Sequence, residues 1–430
     1  MSALSHIKQL PTIVKRMALS VFLFILGRGL GADIFFGIYI EQIIDKIWIV
    51  GLLGAVLAAA KLSLSIPIAY INDKTNPKKL LTLSKIMYII AGLCYFGAGI
   101  LHSPLLIIIA VVLNGFASPI LFTTNMNIIR AQTDSQEATH AFALFHTAFQ
   151  GAFFIGAIII APFVDHIQLP YVFLGIVLFS FISMIINITM PIEEEKGLWK
   201  TIDTYILHNN IYKKVRKDLK EYNITLYITL FLQFLYGVID YIGFLFIPIL
   251  GITNNLSLGQ IAIIFAVMRI PHLLAIYFAD IFDKYNKFIV VCGTYISIGI
   301  VVGGLAFVHN FWGILGLSLL VAAGLSVTRP IILGFIGQLV QSRHKAEITG
   351  VQETFTRTGE IVGSIGFALV AQYSSIQRGF FIIGILFILI AIGILLQQKL
   401  FILPKISFAT AVKNTIFNIF ETFEHYIRKK

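Results

Sequence analysis

The chain reads as an all-α integral membrane protein of about twelve transmembrane helices in two pseudo-symmetric six-helix bundles. Three observations predict this. The composition is 58% hydrophobic and 12% charged, with a mean hydropathy of +0.89, and so few charges cannot cover the surface of a soluble protein. The apolar residues fall in continuous runs long enough to cross a bilayer, which needs roughly 20 residues per helix. A short charged phrase, Ala-x-Ile-x-Asp-Lys-x-Asn, occurs at Ala69–Asn76 and again at Ala279–Asn286, about half the chain apart.

The runs are placed in order as follows. The first half holds spans 1 to 6 at 17–40, 48–71, 82–101, 104–128, 139–163 and 169–191. The second half holds spans 7 to 12 at 223–249, 257–281, 288–308, 311–338, 347–372 and 378–398. A β-barrel would instead show alternating segments of about 10 residues. The predicted organisation is a first bundle (1–191), a cytoplasmic central loop (192–222), a second bundle (223–398) and a cytoplasmic tail (399–430). The basic start, MSALSHIKQLPTIVKRMALS, leads into a run too long for a cleaved signal, so span 1 is expected to stay attached. Cys94 and Cys292 both fall inside spans and are expected to pack.

The formal net charge of +11 is distributed as a membrane protein requires, rather than gathered for nucleic acid. With both termini on one side, 25 of the 32 Lys and Arg lie on that side, and only Lys46 and Arg378 lie in the opposite loops. The positive-inside rule then puts the termini and the central loop in the cytoplasm, and the expected location is the inner (plasma) membrane of a bacterium. The stretch Tyr212–Asn223 reads as a basic helix on anionic headgroups. In the tail, Val412, Ile416, Ile419, Phe420 and Phe423 fit one face of an amphipathic helix; a loosely ordered tail is the alternative.

The repeat goes deeper than the phrase. Pro119 pairs with Pro330, Asp33 with Asp240, and Ala152 and Gly156 with Gly359 and Gly363, all at nearly one offset. Small residues four apart let two helices approach closely. Together these landmarks resemble the major facilitator superfamily of transporters. That family's signature between its second and third helices is G-x-L-a-D-R-x-G-R-K-x-x-L. Here Ala69, Ile71, Asn72, Asp73, Lys74, Asn76, Pro77, Lys78 and Leu81 stand at its positions. Ala and Asn replace the two glycines, and Pro replaces the first basic residue after the second. The resemblance implies cytoplasmic gating loops built from Asp73, Lys74 and Lys78, with Arg130 as partner of Asp73, and from Asp283 and Lys284 in the second copy. It also implies a monomer.

Charges inside the spans are sorted by helix. A charge at the bilayer centre costs about 2.5–3.5 kcal/mol on insertion scales, so those that persist face a cavity or a partner. Arg28 and Asp33 lie in span 1, Lys61 in span 2, Asp240 in span 7, Arg269, His272 and Asp280 in span 8, Arg329 in span 10, and Glu353, Arg357 and Glu360 in span 11. Spans 3, 6, 9 and 12 have none in their middles and are expected to face lipid. Glu353, Arg357 and Glu360 share one helical face, and His146 and Gln150 occupy the matching positions of span 5. Both rows should line one central cavity. Arg28 and Asp33, five apart, are poor partners within an α-helix. Asp33 and Asp240 lack an obvious local cation and are the expected proton sites.

The expected function is secondary transport of a small solute by alternating access, coupled to a proton, with the bilayer as the other partner and no nucleic acid. A multidrug exporter is disfavoured because span 5 lacks the Gly-Pro pair of the drug–proton antiporters; Ala157 follows Gly156. An uncoupled facilitator, or a membrane assembly or sensor protein that carries nothing, are the alternatives. No H-E-x-x-H, paired-cysteine, G-x-S-x-G or P-loop pattern occurs, so neither a cofactor nor an enzymatic role is expected.

Overall fold

The structure is a computed structural model that describes residues 10–72, 75–133, 135–191, 224–282, 286–339 and 345–397. Every one of the described elements is helical. The predicted central loop and tail fall outside the described residues, as do Asp73, Lys74, Asp283 and Lys284 of the gating loops.

Span 1 is broken. Helix α1 (Thr12–Gly27) runs into a π-turn (Arg28–Ala32) and, after a bend of 42°, into α2 (Phe36–Ile44). Spans 2 to 5 are α3 (Ile47–Asn72), α4 (Pro77–Leu101), α5 (Pro104–Gln132) and α6 (Ser135–Ile160). Span 6 is one turn, α7 (Leu169–Val172), followed by α8 (Leu174–Ile188). The second half runs α9 (Ile224–Thr253), α10 (Leu258–Phe282), α11 (Lys287–Gly304), α12 (Phe311–Leu339), α13 (Lys345–Tyr373) and α14 (Ile376–Gln397). Among the described residues nine helices are long and apolar enough to cross a membrane, and ten if the bent pair is one span. The other two predicted spans, α10 and α13, are helical at the expected positions. Helix α13 misses the apolar criterion for a physical reason: Glu353, Arg357 and Glu360 interrupt its middle.

The repeated phrase closes on a shared cap. Asn76 accepts a hydrogen bond from the Lys78 backbone N–H at 2.8 Å and starts α4. Asn286 accepts from Phe288 at 3.1 Å and starts α11. An Asn at this position satisfies amide groups that the first helical turn leaves unpaired. The Asn that closes the phrase is thus a helix start in both halves.

The small-residue pairs do what their spacing predicts. A Cβ on Gly156 of α6 would lie 2.7 Å from the Gly29 carbonyl carbon, at the start of the π-turn. Its counterpart Gly363 of α13 would lie 2.9 Å from the Val238 oxygen of α9, and Gly359 only 2.1 Å from the Phe234 oxygen. So α6 packs on span 1 as α13 packs on α9, backbone against backbone. The outer helices repeat as well. Gly92 of α4 packs on span 6 and Gly299 of α11 packs on α14, in both cases at distances only a hydrogen fits.

Helix pairs that bridge the two halves are α3 with α13, α6 with α10, and α9 with α2 and α3. Spans 3, 6, 9 and 12 pack only within their own halves in every substantial helix pairing. They carry rows of exposed apolar side chains, such as Phe181, Ile185 and Ile188 on α8 and Ile385, Leu389, Ile392 and Leu396 on α14. This agrees with the lipid-facing role their missing charges predict.

Lys85 corrects the sequence reading. Counted with the 25 basic residues of the terminus-bearing side and so read as a surface cation, it is 0% exposed. Its Nζ sits 3.5 Å from the centre of the Phe24 ring and has no hydrogen-bond partner among the described residues. The cation meets an aromatic face, which attracts it electrostatically. About two turns into α4, the side chain has turned inward toward α1 rather than reaching for the membrane surface.

Gly31 makes the break in span 1. Its φ of +130° is a conformation that L side chains rarely adopt, and a Cβ there would meet Val172 and the Phe35 ring within 2.8 Å. Gly31→Ala is therefore expected to cost about 1–3 kcal/mol of stability. Gly151→Ala, in open space within α6, is the control and should be neutral or stabilising by up to about 1 kcal/mol. Thermal denaturation of the two purified variants checks the difference; equal melting points would show that Gly31 is not constrained.

Candidate functional site

A cavity of about 1440 Å³ lies between the two halves. Its walls come from both bundles. It reaches Ile13, Asn72, Thr75, Arg130, Gln132 and Pro191, which are the helix ends on the terminus-bearing face. No residue of the opposite loops lines it. The cavity therefore opens on one face only.

The opposite face is sealed by close contacts between the halves. A Cβ on Gly37 of α2 would be 2.5 Å from the Leu245 oxygen of α9. One on Gly51 of α3 would be 2.5 Å from the Ser364 oxygen and 2.3 Å from the Ala368 Cβ of α13. The Tyr241 hydroxyl donates to the Gly54 carbonyl at 2.9 Å. The Gly259 N–H, at the start of α10, donates to the Asp165 carboxylate at 3.3 Å. That carboxylate also meets the positive end of the α10 dipole.

All the interior residues expected to line the cavity do so: Arg28, Asp33, Lys61, His146, Gln150, Asp240, Arg269, Arg329, Glu353, Arg357 and Glu360. Arg130 lies at the mouth, exposed, and Lys78 lies just inside α4 outside the lining. The pairing of Asp73 with Arg130 falls outside the described residues. His272 also reaches the lining, with Nδ1 3.2 Å from the Met268 carbonyl oxygen, so it is already satisfied locally.

Arg28 and Asp33 are partners, contrary to the expectation from their spacing. Arg28 Nε donates to Asp33 Oδ2 and Nη2 to Oδ1, both at 2.9 Å. The reason is the π-turn. An i to i+5 backbone bond, Asp33 N–H to the Arg28 oxygen at 3.2 Å, brings the two side chains onto one side. The expectation that Asp33 lacks a local cation is corrected accordingly. The guanidinium also contacts the Tyr88 hydroxyl at 3.3 Å.

The α13 row pairs as its spacing predicts. Arg357 donates to Glu353 at 2.9 Å and to Glu360 on its other side. Lys61, from α3 in the other half, comes within 3.8 Å of the second Glu360 oxygen. Two basic and two acidic groups thus neutralise one another across the seam between the bundles. Burying such charges is tolerable only when they are paired.

Three charges are left over. Asp240 has no hydrogen bond or ion pair among the described residues, and Arg329 and Arg269 are the cations whose fields act on it most strongly. Arg269 lies 4.1 Å from the centre of the Phe153 ring, and its buried Nε has no hydrogen-bond partner. Arg329 lies 5.5 Å from the centre of the Tyr236 ring. Neither arginine forms an ion pair with a carboxylate among the described residues.

The sequence offers Tyr236, Tyr241 and Phe355 as aromatics able to stack a ligand, and the rest of the aromatic wall was missed. Phe122, Phe149 and Phe153 line the cavity beside Tyr236 and Tyr241. The signal was present: Phe149 and Phe153 fall on the same helical face as His146 and Gln150. Phe355, expected as a stacking residue, packs against the core instead of lining the cavity. Among the described residues no group of three or more His, Cys, Asp or Glu could hold a metal.

The chain was compared with known proteins. The family model of the Major Facilitator Superfamily matches residues 17–204 and 229–406, one block in each half. Among solved structures, the nucleoside transporter NupG superposes with a TM-score of 0.70 at 15% identity, covering 90% of this chain and 100% of that one. A POT family transporter in complex with 5-aminolevulinic acid gives 0.68 at 15% identity, covering 90% and 96%. The human organic anion transporter MFSD10 (TETRAN) gives 0.61 at 13% identity, covering 89% and 100%. No curated protein matches the chain. At these identities the structures share the fold alone, and the family match carries the rest. The cavity between two repeated bundles and the match over both of them lead to one assignment: the chain belongs to the Major Facilitator Superfamily, and it is an integral membrane transporter of small solutes rather than an enzyme.

Proposed function

We propose that this transporter moves its solute by alternating access and couples the movement to a proton. The observation that carries the reading is the one-sided cavity: open between the halves on the terminus-bearing face, sealed by close backbone contacts on the other. The positive-inside bias supports reading the open face as cytoplasmic. The moving bodies are residues 1–191 and 223–398, joined in sequence by residues 192–222, with a single chain as the working unit. Rocking of one bundle against the other about the central site exposes that site to each side in turn.

Asp240 is the proton site in this scheme. It is the cavity carboxylate without a bonded partner, whereas Asp33, Glu353 and Glu360 are each held by an arginine. A carboxylate exchanges protons usefully when no ion pair fixes it as the anion. Its charged surroundings are Arg329 on α12, Arg269 on α10, and Arg357 and Glu360 on α13, with Tyr236 one turn away on its own helix and Lys61 on α3 beside Glu360. The seam pair Lys61 and Glu360 links the halves directly and must separate or re-form as they move.

Purified protein in pyranine-loaded liposomes, offered sugars, amino acids, nucleosides, organic anions and lipophilic cations, should move protons with at least one class. Asp240→Asn is expected to abolish accumulation driven by a pH gradient while preserving exchange of labelled for unlabelled solute. Unchanged gradient-driven accumulation in that variant would remove Asp240 from the coupling.

Gly51→Val tests the seal. A side chain at this contact overpacks it by about 1–3 kcal/mol, enough to shift a two-state equilibrium about tenfold. In a chain with Cys94 and Cys292 replaced, a cysteine at Leu245, which is 0% exposed, should react with maleimide about tenfold faster once Gly51→Val is added. An unchanged rate would show that this contact does not hold the face shut.

A further inference from the structure

The residual charge in the cavity points to the kind of solute. Inside the mouth, where Arg130 is exposed, the walls carry four carboxylates, Asp33, Asp240, Glu353 and Glu360, against five cations, Arg28, Lys61, Arg269, Arg329 and Arg357. Arg28 and Asp33 cancel. Lys61, Arg357, Glu353 and Glu360 cancel across the seam. What remains is Arg269, Arg329 and Asp240, with His146 on α6 facing Arg329 and His272 on α10 facing Arg269, a group with one positive charge in excess when Asp240 is ionised and both imidazoles are neutral. Both arginines are held against aromatic faces rather than by acids. Arg269 on the Phe153 face keeps its planar donors free for a carboxylate, and Arg329, which also meets the Tyr236 hydroxyl, keeps its remaining ones. The surrounding wall is apolar and aromatic: Phe122, Phe149, Phe153 and Tyr236.

Resting on the solute-transport reading above, we propose that Arg269 and Arg329 receive the carboxylate of a small aromatic or apolar-bodied organic acid, and that this anion and the Asp240 proton bind together. The physical reason for the linkage is competition. Ionised Asp240 offsets the field of the two arginines, so it opposes a second carboxylate in the same place. A proton on Asp240 removes that opposition and leaves two uncompensated cations. By reciprocity, the bound anion raises the affinity of Asp240 for its proton by the same factor. The empty-handed and the fully loaded carrier then differ by one anion and one proton, which is the requirement for moving the two in the same direction. The aromatic wall takes the body of the acid, and the excess positive charge disfavours a cation.

The test uses the full-length protein and three matched sets of probes. The acids are benzoate, phenylacetate and indole-3-acetate; the neutral isosteres are their amides; the cation is benzyltrimethylammonium. Thermal stabilisation is measured at pH 5.5 and 7.5, where the acids stay ionised. At least one acid is expected to raise the melting temperature while its amide and the cation do not, and to bind more tightly at pH 5.5. Removing one charge-assisted partner, as in Arg269→Gln or Arg329→Gln, should weaken that acid about tenfold or more. In Asp240→Asn the affinity should lose its pH dependence and stay at its low-pH value. The wild-type comparison of acid, amide and cation needs no variant, so a poorly folding mutant leaves the test standing. Equal or better stabilisation by an amide or the cation, silence from all the acids, or an acid whose binding ignores both arginine substitutions would overturn the proposal. These outcomes are separate from failure of the transport reading. If only the charge assignment is wrong, liposomes still accumulate a neutral or cationic solute. If transport itself is wrong, acids bind but no solute crosses.

Discussion

A charge inside a membrane protein must be paired, or must face water, because an isolated ion in a low-dielectric interior costs more than the fold can supply. The architecture here follows from that rule. The charged side chains described in the middles of the spans gather at the seam between the two halves, and Lys85, nearer a helix start, is shielded by the Phe24 ring. The lipid-facing helices have uncharged middles and could be packed entirely by shape. The seam is left as the one place where polar groups can meet a solute, and also as the one place where the structure has to come apart.

That double role explains the way the charges are held. Arg28 with Asp33 is an arrangement within one half, and Arg357 with its two glutamates is another. Each can travel with its own bundle. Lys61 to Glu360 is the ion pair that crosses, and at 3.8 Å it is loose. The tight cross-half contacts are instead backbone against small residues on the closed face, where Gly37, Gly51 and Gly259 allow near contact. Contacts of this kind are lost as soon as the helices separate, and they leave no buried charge exposed. A seam sealed by glycine contacts and a weak ion pair can open at lower cost than one sealed by buried salt bridges.

Much of this was legible in the sequence. The helix positions followed from apolar runs, the two-fold repeat from prolines, glycines and one charged phrase, and the cavity face from intramembrane charges. Glu353, Arg357 and Glu360 paired as i, i+4 and i+7 spacing requires. The failures have physical causes. Arg28 and Asp33 were read with α-helical geometry, whereas the glycines around them allow a π-turn that turns five residues into a contact. Lys85 was read as a surface cation because its position in the first turns of a span says nothing of which way the side chain points. The aromatic wall was concealed by abundance: with 37 phenylalanines in the chain, only the faces shared with His146 and Gln150 distinguish a lining ring from a packing one.

The central claim is that the two halves exchange which face is open. Electron paramagnetic resonance distances on doubly spin-labelled protein test it most directly, with Cys94 and Cys292 replaced. One pair, Lys46→Cys and Asn255→Cys, spans the sealed face; the other, Gln132→Cys and Gly334→Cys, spans the open one, and all four positions are exposed. Alternating access predicts that a shift of pH or of solute lengthens the first distance and shortens the second together, as populations of two states. Distances that stay fixed under every condition, or that change on one face without the other, would contradict it.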